Sequence, residues 1–309
     1  MLYVSTRNAS DTFTAHRALQ QDHSPDGGFY VPFHMPAFSS KDLNTLKAQA
    51  TAETVSQMLN LFFGLHLSRS EVESAVGDLA FRLQKTNQNF LMAEIWHTLD
   101  GSFDYVVKRL YNLMTGRSEM PAGWPFIAIE ISVMFGLYSA ISKEMKSFDI
   151  ALPVADFASL NAVLYAKRMG LPVNRVICAC DENDIVWDMT NNGAFSTNFS
   201  LDNITYLELL IYQFAGVQGV KQYLDAFNSR EIYRIEEEIL LYLKDNLYST
   251  VVSAERAESI ISGMYRSNQY NIDLGTAYAY GSLQDYRAST GANNQTVIFA
   301  KICPERIKE

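Results

Sequence analysis

The segment from Phe148 to Cys180 constrains the fold more than any other. Phe148-Asp149-Ile150-Ala151-Leu152 is a short apolar run that turns at Pro153. A helical pattern follows from about Ala158 to Met169, and Gly170-Leu171-Pro172 stops it. Glycine permits the positive φ that closes a helix, and proline cannot continue one. Arg175 to Cys180 is then a second apolar strand. Strand, helix, stop and strand form a βαβ unit, which requires parallel pairing and a right-handed crossover. A chain with this segment must hold a parallel sheet covered by helices.

Other segments extend the same pattern. Phe90 to Trp96 predicts a strand, Ser102 to Leu113 a helix, Pro125 to Lys146 a long apolar helix and Thr296 to Ala300 a final strand. Asp202 to Arg266 predicts helix nearly throughout. Upstream, Tyr3 to Thr6 and Phe29 to Val31 predict strands, with Asp11 capping a helix from Thr12 to Gln20. Pro25-Asp26-Gly27-Gly28 is a turn, because proline fixes φ and glycine tolerates positive φ. Ser39 or Ser40 caps a further helix, and Ser68 with Glu71 makes a capping box. The expected organisation is a mostly helical unit over 1–88 and an α/β unit over 89–309.

Charge and cysteine usage narrow the function classes. The net charge is −9 and no Lys/Arg-rich run occurs, which argues against a nucleic-acid partner. No stretch of ~18 uninterrupted apolar residues predicts a membrane span. Cys178, Cys180 and Cys303 have no framework spacing, and Met1 to Arg7 lacks a basic-then-apolar signal. The expectation is a cytoplasmic protein with reduced core thiols. Histidines are scattered, so no metal site is expected.

Several motifs carry a family resemblance. Tyr3-Val4-Ser5-Thr6-Arg7 and Pro25-Asp26-Gly27-Gly28-Phe29-Tyr30-Val31-Pro32 resemble the opening of threonine synthases. Ile150 to Ser159, Tyr165 to Val173 and Cys180 to Asp184 resemble that family's phosphate-loop segment and the βα unit after it. Gly275-Thr276-Ala277 through Pro304 is similar to its closing motifs. The resemblance implies an α/β, helix-rich, partial three-layer large domain of the tryptophan-synthase-β type. It further implies a small parallel-type sheet with the small catalytic lobe missing. It brings pyridoxal phosphate as the family cofactor and β,γ-elimination and replacement on O-phosphohomoserine as the family reaction.

The cofactor positions depart from the family pattern. The Schiff-base segment aligns with His97 to Tyr105, and its lysine position reads Asp104. A carboxylate cannot form an imine. Lys108 lies one helical turn on, from a displaced Cα. The phosphate loop reads Val154-Ala155-Asp156-Phe157-Ala158, with alanine at both glycine positions and Asp156 for asparagine. Alanine disfavours positive φ, and a carboxylate repels a phosphate dianion. The ring-nitrogen position falls on Lys301 or Ala300, and Lys301 reads as a solvated lysine at a strand end. Only 50 residues separate Asp104 from Ala155, too few for the family's substrate lobe at ~12 residues per helix and ~5 per strand.

These departures predict a degenerate threonine synthase-like protein without threonine synthase activity, with no cofactor expected and a binding or regulatory role. Its partner would be a second copy, another protein or a small anionic ligand in the residual cleft. A tyrosine-rich stretch, Tyr206 to Tyr248, is compatible with an interface, but the edge of an amphipathic core is the favoured reading of these rings. The alternative is an enzyme acting on a small anionic metabolite, amino-acid-like or phosphorylated, or a residual threonine synthase. Under it, Ser5, Thr6 and Arg7 point into the cleft, with His97, Asp104 and Arg109 nearby.

Overall fold

The computed structural model describes residues 1–77, 82–85, 89–96, 101–153, 157–180, 184–198 and 205–304. It begins with strand β1 (Leu2–Ser5), strand β2 (Phe13–Thr14), helix α1 (Ala15–Gln20) and strand β3 (Tyr30–Pro32). These strands form an antiparallel sheet in the order β2-β1-β3. Helices α2 (Ser40–Leu46), α3 (Thr51–Phe63) and α4 (Arg69–Val76) follow. Ser39 and Ser68 close capping boxes with Asp42 and Glu71. The helix expected from Thr12 begins later, because Phe13 and Thr14 pair with β1 and Thr14 supplies the cap.

The second sheet carries the molecule. Its strands are β4 (Arg82–Lys85), β5 (Phe90–Glu94), β6 (Phe148–Pro153), β7 (Val173–Cys180), β10 (Leu247–Val251) and β11 (Thr296–Ala300). Their order is β10-β7-β6-β11-β5-β4, parallel throughout except for β4. Helix α5 (Phe103–Thr115) follows β5, and α6 (Trp124–Ile141) is the single element between α5 and β6. Helix α7 (Phe157–Arg168) joins β6 to β7 as the βαβ pattern required. The remaining elements are α8 (Ile185–Asn191), β8 (Ala194–Ser196), α9 (Thr205–Ser229), β9 (Ile232–Arg234), α10 (Glu237–Asn246), α11 (Ala254–Asn268) and α12 (Leu274–Thr290).

Successive strand residues serve opposite layers, since side chains alternate across a sheet. Leu91, Ile150, Cys178 and Val297 join a core with α6, α7 and the N-terminal helices. Met92, Ala151, Ile177 and Ile298 face α11 and α12. This is the three-layer α/β arrangement expected from the resemblance. The larger core is continuous across residue 88: Tyr3, Val55 and Phe62 lie in it with Trp124 and Ile127. Helix α6 is apolar and long enough to cross a membrane, but 89% of that window is buried inside the protein. Gly136 lets α3 approach it, because a Cβ there would lie 2.9 Å from Thr51 Cγ2.

The segment 202–266 is less helical than the sequence predicts. It contains β9 and β10, and β10 forms an edge of the main sheet. In the tyrosine-rich stretch, Tyr223 and Tyr233 are buried and pack edge to face, with ring centroids 5.9 Å apart. Interior packing is the role of these two rings.

Candidate functional site

The parallel strands β5, β6 and β11 end on one edge of the sheet, where α5, α7 and α12 begin. Ligands of parallel α/β sheets bind at this edge, beyond the carboxyl ends of the strands. A cavity of about 570 Å³ opens there. Asp104 and Phe103 enter it from α5, Glu130 and Phe126 from α6, and Ser159 from α7. Asp273 and Thr276 line it at the start of α12, and Phe299 and Lys301 at the end of β11.

A backbone zipper assembles the floor. Phe103 N–H donates to Lys301 C=O at 2.8 Å, and Cys303 N–H donates to Gly101 C=O at 2.7 Å. Gly101 has φ 65°, and a Cβ there would stand 3.1 Å from Cys303 Cβ. The first turn of α5 is thereby held against the residue that follows β11.

Lys301 is turned inward, in contrast to the solvated strand-end lysine that the sequence suggested. Its Nζ lies 2.7 Å from Glu130 Oε1 and donates to Ser159 Oγ at 2.5 Å. It also stands 5.0 Å from the centroid of the Phe103 ring. The Glu130 side chain is 2% exposed and that of Lys301 25%. Such a carboxylate is tolerable in the interior because an ammonium meets it. Asp273 accepts from the Thr276 N–H at 3.1 Å and from the Thr276 hydroxyl, capping α12. Asp104 sits in the first turn of α5, where the helix dipole favours a negative charge. Lys108 lies on the same helix but does not line the cavity.

The other sequence-derived candidates lie elsewhere. Ser5, Thr6 and Arg7 are held in a separate network. Thr6 Oγ1 donates to Glu208 Oε1 at 2.5 Å, and Arg7 grips both oxygens of Glu208 at 3.2 and 2.8 Å. Ser5 Oγ donates to Asp26 Oδ1 at 2.7 Å. These bonds tie the N-terminal sheet to α9. Burial works to raise the Asp26 pKa, but bonds from Ser24, the Gly28 N–H and Ser5, with the Arg7 charge, hold it below the usual range. Arg109 points away from the cavity, donating to Ala75 C=O at 2.9 Å and packing on Tyr105. Of Ser5, Thr6, Arg7, Asp104 and Arg109, only Asp104 reaches the cavity. His97, Ala155 and Asp156 lie outside the described residues. Phe157 and Ala158 open α7 beside the cavity-lining Ser159.

Sequence reasoning missed Glu130, Ser159 and Asp273. Glu130 offered a signal, as the one acid within a long apolar helix. It also missed Glu94 at the end of β5, which accepts from Tyr270 Oη at 2.5 Å. Burial, then the bond to Glu94, pushes the Tyr270 pKa well up.

Comparison with known proteins places the geometry. Residues 2–79 match the family model described as threonine synthase N terminus. Threonine synthase from Buchnera aphidicola (subsp. Acyrthosiphon pisum) is 27% identical over 312 residues, covering 88% of this chain and 72% of its own. Threonine synthase-like 1 from Homo sapiens is 24% identical over 144 residues, which is 42% of this chain. That match spans 19% of the human relative's length. Among solved structures, pyridoxal-phosphate-bound threonine synthase from Brucella melitensis superposes with TM-score 0.81 at 16% identity, covering 98% of this chain and 88% of that one. Yeast threonine synthase gives TM-score 0.82 at 14% identity, covering 97% and 87%. The Brucella protein corrects one sequence-based expectation, that no cofactor belongs here: the same fold holds pyridoxal phosphate there.

Proposed function

We propose that this chain is a threonine synthase-like protein that holds pyridoxal phosphate in the strand-end cavity while lacking the replacement chemistry that makes threonine, a reading supported by the match of residues 2–79 and by the shared fold. Its role on this reading is binding or regulatory. When bound, this cofactor supplies an electron sink for carbanions. The residues present fit the group. The cavity offers an amine at Lys301, a hydroxyl at Ser159 near the start of α7, and aromatic walls at Phe103, Phe126 and Phe299. A helix start with a nearby hydroxyl suits a phosphate.

One observation carries the loss of replacement chemistry. Residue 104, where the resemblance places the Schiff-base lysine, is a carboxylate lining the cavity. The single helix α6 between α5 and β6 adds to it, since that interval holds the substrate lobe in the family resembled. Self-association and a cytoplasmic location belong to the same reading, and static light scattering tests the first.

The test is direct. The full chain is dialysed against pyridoxal phosphate and then given O-phosphohomoserine. Retained cofactor without release of inorganic phosphate is the expected result. Phosphate release at a rate set by protein concentration overturns the loss of activity, and failure to retain cofactor overturns the binding role.

A further inference from the structure

We propose that the covalent anchor for the cofactor aldehyde has moved in this chain from the start of α5 to the end of β11, and that Lys301 is that anchor. The inference rests on the cofactor-holding role proposed above. Among the described residues lining the cavity, Lys301 is the one lysine.

The displacement in space is small although it spans nearly the whole chain in sequence. Phe103 N–H is bonded to Lys301 C=O, so residue 301 stands across the backbone zipper from the neighbour of Asp104. An amine rooted at 301 therefore serves the same floor as one rooted at 104. The Phe103 ring flanks its Nζ at 5.0 Å. Lys108, the other lysine near this turn, does not line the cavity.

Glu130 gives the amine a proton partner at 2.7 Å. A lysine ammonium must lose a proton before it can attack a carbonyl. Glu130 accepts that proton, and the free Nζ attacks the aldehyde carbon to form a C–N bond. The carbonyl oxygen then departs as water. Two of the three ammonium protons end on that water, one passing through Glu130, and the third stays on the imine nitrogen. No oxidant, reductant or further reactant is needed. Ser159 Oγ, bonded to Nζ at 2.5 Å, positions the amine.

The test uses the full chain, pyridoxal phosphate and borohydride, with the trapped peptide located by mass spectrometry. The expected result is a reduced adduct on Lys301 in the unmodified protein. The variant Lys301→Arg keeps a cation against Glu130 but cannot form the imine, and it should lose the adduct while remaining folded by circular dichroism. Lys301→Ala serves as a second variant and should also lose it. An adduct on another lysine, or cofactor retained by dialysis with no reducible bond, overturns the proposal and leaves the binding role standing. Absence of retained cofactor overturns both.

Discussion

Lys301 and Glu130 pair a part-buried ammonium with a buried carboxylate at 2.7 Å. An ion pair with one partner 2% exposed contributes little net stability, but removing one member leaves a charge stranded in the interior. Lys301→Ala should therefore cost about 3 kcal/mol in a urea titration, and Lys301→Ala with Glu130→Gln should recover most of it. A loss from the single variant that the double variant does not recover would place the stability elsewhere. At the N-terminal network, the depressed Asp26 pKa has a pH signature. A carboxyl whose folded pKa is lowered stabilises the protein above the unfolded value, and that contribution fades as pH falls through the folded value. Stability should drop on acidification below about pH 4, and Asp26→Asn should make that drop shallower. Each of these residues was visible in the sequence, Asp104 among them as a carboxylate that lines the cavity. What the sequence did not contain was neighbourhood. Lys301 meets Glu130 only because a zipper joins residues 101–103 to 301–303.

At the scale of elements, close helix packing offers paired predictions. Gly136 of α6 lies against α3, where an added Cβ would crowd Thr51 and Val55 at 2.9 and 3.0 Å. Gly136→Val should destabilise by about 1–3 kcal/mol, read as a lowered melting temperature. Gly263, within α11, has open space around its Cα and no positive φ. Gly263→Ala should raise stability by roughly 0.5–1 kcal/mol, because alanine loses less backbone entropy in a helix. The elements legible in the sequence were those with strong punctuation. The unit from β6 through α7 to β7 was bounded by Pro153 and Gly170-Leu171-Pro172, and β11 by its apolar run. Among the elements that escaped were β4 and β10 at the sheet edges. In β4 Arg82 and Lys85 are exposed and in β10 only Leu247 is buried, so neither shows the alternation that marks a strand with one buried face. In β10, Leu247-Tyr248-Ser249-Thr250-Val251 followed a helix without a breaker and read as its continuation.

At the scale of the whole molecule, the chain has the fold of the threonine synthase structures on which it superposes, with helix α6 as the one element between α5 and β6. The parallel sheet, its two helical layers and the cavity at the strand ends form one structure, and the N-terminal segment 2–79 packs into the same core. On the proposed reading, this strand-end cavity is the working site. Hydrogen–deuterium exchange of the full chain, with and without pyridoxal phosphate, tests it most directly. Protection should appear at residues 101–104, 157–159, 273–278 and 299–302, which surround the cavity. Protection confined to another hollow, such as that lined by Arg168, Tyr212 and Gln213, or no protection anywhere, would contradict it.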